Sequence, residues 1–132
     1  MNNEDYLKFY NLILTTINTD HINDCFQLIK QLRQDPELQY FVKLGYNGEL
    51  MTQTIVRIVR NLAIDELIVA KSQPMAFLGN NYIIQGLTTK GHNYLAVINE
   101  PKAWRKVKQA LHDEGIPLTP QSASRFMTKL FF

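Results

Sequence analysis

The apolar positions of this chain change period several times, and each change marks an element. Leu7, Tyr10, Leu14 and Ile17 recur at helical spacing, which predicts a helix over residues 4–18. Ile22, Phe26, Ile29 and Leu32 repeat the pattern over residues 21–33, with Asp20 placed to cap the start. Pro36 suits a first helical turn and Gly45 a helix end, so a short helix over residues 36–44 follows.

The stretch TIVRIVRNLAIDELIVAK, residues 54–71, starts as a helix and ends as a strand. Ile55, Ile58, Val59 and Leu62 form an apolar stripe, and Thr52 is placed to cap it. LIVA at 67–70 has the length and β-rich composition of a strand. SQPMAFLGNN supplies turn chemistry, and YIIQGL at 82–87 reads as the returning strand. Helix, strand, loop, strand is the order of a recognition helix and wing. Thr88 then caps a helix running to about Ile98, and Pro101 opens another in NEPKAWRKVKQALHDEG that Gly115 ends. Thr119-Pro120 announces a last helix carrying Ala123, Phe126, Met127, Leu130 and Phe131. The pattern predicts an α+β fold: a winged helix-turn-helix with additional N- and C-terminal helices, in a single domain over 1–132. Residues 1–45 form a helical lead-in, 46–87 the recognition helix and wing, and 88–132 the C-terminal helices.

Composition narrows the setting. At 132 residues the chain suffices for one domain with a core, and its 45% apolar and 20% charged content is ordinary for a globular protein. Neither repeats nor low-complexity tracts interrupt it. No apolar run approaches the roughly 20 residues of a membrane-spanning helix. The start MNNEDYLKFYN has acids where a secretory signal needs positive charge, and Cys25 is the sole cysteine, so a reducing cytoplasm is the expected setting. Charge is uneven: residues 1–50 carry four Lys/Arg against seven Asp/Glu, and residues 51–132 carry ten against five. The second half is therefore the one suited to a polyanion.

Two segments resemble known families. TIVRIVRNLAIDELI resembles the recognition-helix pattern of MarR-type winged-helix regulators, a helix followed by L-x-x-x-G-L-I. Leu62 and Leu67-Ile68 match, while Glu66 stands where the glycine usually is. That glycine supplies a left-handed helix end, which costs a residue with a Cβ about 1 kcal/mol. LTTKGHNYL followed by WRKVK is similar to the L-T-x-x-G-H-x-[FY]-L…W-x-x-x-K signature of an uncharacterised phage, prophage and bacterial winged-helix family. YjcQ-like winged-helix proteins share that layout. Leu87, Thr88, Gly91, His92, Tyr94, Leu95, Trp104 and Lys108 carry the match, across residues 46–130. The resemblance implies a winged-helix fold and a phage or prophage association, and it brings no activity with it.

Candidate chemistry concentrates at the predicted recognition helix. Gln53, Thr54, Arg57, Arg60 and Asn61 lie opposite the apolar stripe and are expected to face solvent. Gln and Asn bond adenine bidentately and Arg pairs with guanine or phosphate, so this edge suits DNA; an ordinary solvated face is the competing reading. The wing tip argues differently, because Met75, Phe77 and Leu78 stand where a DNA-binding wing usually carries Lys or Arg. An apolar tip suits a protein partner. In KAWRKVKQAL, Trp104, Val107 and Leu111 face one way and Lys102, Arg105, Lys106 and Gln109 the other. That basic side serves as a phosphate track or, more simply, as a solvated face. His21 and Cys25 share ligand spacing, but no second pair completes a structural zinc, and Cys25 falls on an apolar face. His92 reads as a structural histidine bonding a nearby carbonyl. The last helix closes the core or serves as a dimer arm, and a homodimer through it is the expectation. No nucleophile–base pair or phosphate-cradling glycine loop implies an enzyme, a cofactor or a metal.

Overall fold

The structure is a computed structural model that describes residues 1–75 and 79–132, with the backbone alone at residues 75, 79 and 80. Among the described residues the chain is a mixed α+β structure of seven helices and a two-stranded antiparallel sheet. The helices are α1 (Asn3–Thr19), α2 (Cys25–Leu32), α3 (Leu38–Lys43), α4 (Gly48–Ile64), α5 (Thr89–Ile98), α6 (Pro101–Asp113) and α7 (Pro120–Phe131). The strands β1 (Ile68–Met75) and β2 (Gly79–Leu87) lie between α4 and α5. Among the described residues no helix is long and apolar enough to cross a membrane.

α1 is the axis of the core. Its Phe9, Tyr10, Ile13 and Leu14 are fully buried, because α2, α4, α5 and β2 pack around it. Phe9 stacks on Phe41 with ring centroids 4.3 Å apart, which ties α3 to the same core. α6 and α7 pack mainly on α5 and on each other, with Val107, Leu111, Ala123, Phe126 and Met127 buried.

Local chemistry sets most of the boundaries. Thr88, Glu100 and Thr119 each cap a following helix through side-chain bonds to first-turn N–H groups, and Thr119 forms a reciprocal capping box with Ser122. Two helix starts differ from the sequence expectation. Asp20 closes α1, and α2 is capped by Asp24, whose carboxylate accepts from the Gln27 N–H at 2.8 Å. Residues 23 and 24 are instead drawn to β2: the Ile84 N–H donates to the Asn23 carbonyl at 2.7 Å, and Asp24 bridges Ile83. The buried face of α2 is consequently Cys25, Leu28 and Leu32, and Phe26 is 48% exposed. α4 starts one turn before the expected cap at Thr52, whose hydroxyl donates to the Gly48 carbonyl.

The hairpin extends beyond the predicted strands. Pairing runs from Ile68↔Leu87 to Met75↔Gly79, with a register shift between Val69 and Ala70 that leaves Gln85 as the extra residue on β2. Lys71, Ser72, Gln73 and Pro74 are all exposed. Successive strand residues point to opposite faces, so this stretch of β1 is the open edge of the ribbon, while its partners on β2 pack toward α2: Asn81 is buried and accepts from the Cys25 N–H at 3.3 Å.

Candidate functional site

α4 turns Gln53, Arg57 and Arg60 outward along one line, since i, i+4 and i+7 share a helical face. Exposed Ile64 extends it. Among the described residues neither arginine forms a salt bridge. The Gln53 amide donates to the Glu49 carboxylate at 3.2 Å, which places an acid at the N-terminal end of the line.

The other two residues of the predicted polar edge do not face solvent freely. Thr54 is 1% exposed, and its hydroxyl donates to the Leu50 carbonyl at 2.7 Å. A threonine satisfied by the carbonyl four residues back can be buried without any other partner. Asn61 is half-buried, and its amide donates to the Tyr6 hydroxyl at 2.7 Å. The edge therefore divides into three outward residues and two that hold α4 in place.

The Tyr6–Asn61 bond has a twin one turn along. The Tyr10 hydroxyl donates to Asp65 Oδ2 at 2.8 Å, so residues i and i+4 of α1 pair with i and i+4 at the end of α4. These two rungs tie α1 to the end of α4, on the helix that carries Arg57 and Arg60. Burial pushes the Tyr10 hydroxyl far above the ordinary tyrosine range, and the neighbouring Asp65 charge adds to it. Tyr94 is pushed up by burial and then by Asp65, and its hydroxyl donates to Asn11 Oδ1 at 2.6 Å. Tyr6 is raised by burial, against the opposing effect of its bond from Asn61.

Asp65 joins a second group of residues to this seam. Its Oδ2 also accepts from Gln121 Nε2 at 2.8 Å, and its backbone carbonyl accepts from Lys90 Nζ at 3.2 Å. Around it lies a hollow of about 470 Å³ between the starts of α5 and α7, lined by Lys90, Gln121, Ser124, Arg125 and Lys129 among others. The sequence did not reveal this cluster, because Tyr10 and Gln121 lie 55 and 56 residues from Asp65. The only local signal was an acid at a helix end.

The turn from α4 into β1 is held by the start of α5. Glu66 adopts φ +63°, the left-handed conformation expected of the glycine it replaces. The Thr88 hydroxyl donates to the Glu66 carbonyl at 2.6 Å and accepts from the Gly91 N–H at 3.0 Å, while the Thr88 N–H donates to the Leu67 carbonyl. His92 is exposed, and among the described residues its ring forms no hydrogen bond. Among the described residues the expected bond to a carbonyl is therefore not made, because the first turn of α5 directs this side chain to solvent.

The remaining candidates separate by location. The wing-tip residues Phe77 and Leu78 lie outside the described residues, and Met75 is described through its backbone pairing with Gly79 alone. On α6, Val107 and Leu111 are buried, Trp104 is half-buried, and Lys102, Arg105, Lys106 and Gln109 are exposed. Cys25 is buried, which pushes its thiol up, and His21 is exposed. In α7 the apolar stripe divides: Phe126 and Met127 are buried, while Leu130 and Phe131 are 45% and 38% exposed.

The family described as hypothetical protein (DUF2513) matches residues 17–117. The match begins inside α1 and takes in α2, α3 and α4, so it covers much of the segment read from sequence as a lead-in. No curated protein and no solved structure matches the chain. The matched span contains α4, the hairpin, the Thr88–Gly91 turn and Asp65, and the chain belongs to this uncharacterised DUF2513 family.

Proposed function

We propose that this protein is a cytoplasmic, non-enzymatic winged-helix protein of phage or prophage type that binds duplex DNA through α4. The observation that carries the reading is the outward line of Gln53, Arg57 and Arg60, with both guanidinium groups in no salt bridge among the described residues. Arginine exposed on a helix of this length suits a major groove, where it bonds guanine O6 and N7 or a backbone phosphate. Glu49 repels phosphate at one end of the line, so Arg57 and Arg60 form its contact end, with Gln53 positioned to read a base edge once it leaves Glu49.

The order of elements supports the same reading. With the short α3 as an insertion between α2 and α4, the order α1, a single bridging residue at Asp24, α2, α4 and a two-stranded ribbon follows the layout of a winged helix, with the Asp24–Ile83 bridge in the role of its short first strand. The resemblance of LTTKGHNYL…WRKVK to a phage-associated winged-helix signature points the same way. A gel shift at low salt against phage and bacterial duplexes tests the proposal. The wild type shifts duplex DNA, and no shift with any duplex overturns it.

A second reading is favoured by the ribbon itself. Its exposed flank Ser72–Pro74 carries no positive charge, and Lys71 is the sole cation of β1. In this reading the ribbon docks a phage or host protein through Met75, Phe77 and Leu78. Replacing Phe77 and Leu78 by Ser then abolishes capture of that protein while leaving duplex binding intact, and undiminished capture sinks the reading.

A further inference from the structure

We propose that the hollow bounded by the starts of α5 and α7 and by the end of α4 is a phosphate-binding site, with Lys90, Arg125 and Lys129 as its cations. The lining sets three cations against one carboxylate, Asp65. That carboxylate spends Oδ2 on two neutral donors, Tyr10 and Gln121, and among the described residues none of the three cations forms a salt bridge. Lys90 gives one N–H to the Asp65 carbonyl, which holds its ammonium at the rim and leaves two N–H groups for a ligand. On α7 the spacing 121, 124, 125, 128 and 129 puts the lining residues along one helical side. The Ser124 hydroxyl there has no partner among the described residues, whereas Thr128 already donates to the Ser124 carbonyl and serves as wall. Gln121, Arg125 and Lys129 are exposed, so the site is open to a phosphate on a long ligand as well as a free one.

The arrangement favours a phosphodiester backbone as the source. Asp65 caps α4 eight residues beyond Arg57, and the Tyr6–Asn61 and Tyr10–Asp65 rungs fill the seam between them. Lys90 bonds Asp65 at the far end of that seam, so a strand held at Arg57 and running along it would come to the hollow. The duplex as source rests on the DNA-binding reading above; the phosphate site itself does not.

Titration of the full chain with sodium pyrophosphate, followed by amide NMR, tests the site. The wild type shows saturable shifts at the Gln121 side-chain amide and the Ser124 backbone amide. The Arg125→Ala/Lys129→Ala variant, changed at exposed positions outside the core, binds about tenfold more weakly or worse. Absence of saturable shifts at these groups, or equal affinity in the variant, overturns the proposal. Duplex binding measured against salt then identifies the source. A DNA backbone in the hollow lowers the salt slope of the variant by about 2. An unchanged slope with lost pyrophosphate binding upholds the site and assigns it to a free phosphate compound. A wild type that binds pyrophosphate but no duplex upholds the site while refuting the role of α4.

Discussion

A Cβ added to Gly91 would overlap the backbone carbonyl oxygen of Leu67, because the first turn of α5 passes directly against the residue that precedes β1. The same carbonyl accepts the Thr88 N–H at 3.0 Å, so neither backbone can retreat without losing the bond that joins them. Helix propensity alone makes Gly→Ala in α5 a gain of about 0.5–1 kcal/mol. The overlap reverses the sign, and Gly91→Ala is expected to cost about 2–3 kcal/mol. Urea unfolding decides between them, and a stabilised variant refutes the close approach.

Glu66 carries the opposite lesson. At φ +63° it bears left-handed strain that glycine would not. Glu66→Gly is therefore expected to stabilise the fold by about 0.5–1 kcal/mol, after the extra freedom glycine gives the unfolded chain. Glu66→Ala keeps the Cβ and is expected to give no such gain. Equal stability of the two variants in thermal unfolding would show that the turn is unstrained.

These two positions show what the sequence carried in legible form. The Thr88 cap, the helix starts at Pro101 and Pro120 and the end at Gly115 all follow from chemistry within a few residues, and the structure places each where its residues indicate, whereas the close approach of Gly91 is made to Leu67, far back along the chain. What escaped depends on partners far along the chain. Asp20 and Asp24 are equally good caps in isolation, and the choice is made by β2, which binds Asn23 and Asp24 about 60 residues away. Thr54 looks like a surface residue because its type is polar, but its hydroxyl is satisfied inside its own helix. Asn61 and Asp65 look free because Tyr6 and Tyr10 are invisible to any local pattern.

The Tyr10–Asp65 rung predicts an alkaline limit to stability. Tyrosines of the unfolded chain ionise near pH 10, whereas burial keeps Tyr10 and Tyr94 protonated in the folded chain well beyond it. The folded state thus holds more protons above pH 10. The stability these groups contribute is fully present below pH 10 and is lost as pH rises, by about 1.4 kcal/mol per pH unit for each tyrosine. Tyr10→Phe is expected to lower stability at pH 7 by about 1.5–3 kcal/mol through the lost bond to a carboxylate, and to flatten the decline above pH 10. Denaturant titrations at pH 7 to 11.5 check both, and an unchanged alkaline slope contradicts the buried rung.

The divided stripe of α7 bears on assembly. Phe126 and Met127 close the core, leaving Leu130 and Phe131 partly exposed on the last turn. A homodimer that packs these turns together is expected to become monomeric on Leu130→Ser/Phe131→Ser, without loss of helix content. Sedimentation velocity reads the difference, and a wild type that is monomeric at high concentration excludes the dimer.

The role of α4 is tested most directly by the salt dependence of duplex binding in the wild type and Arg57→Ala, read by fluorescence anisotropy. Arg57 is exposed and outside the core, so its loss leaves the fold intact. Arg57→Ala is expected to weaken binding severalfold and to reduce the slope of log K against log salt by about 1, the signature of one lost phosphate contact. Identical affinity and slope in the two proteins would contradict the assignment of α4 as the DNA-binding element.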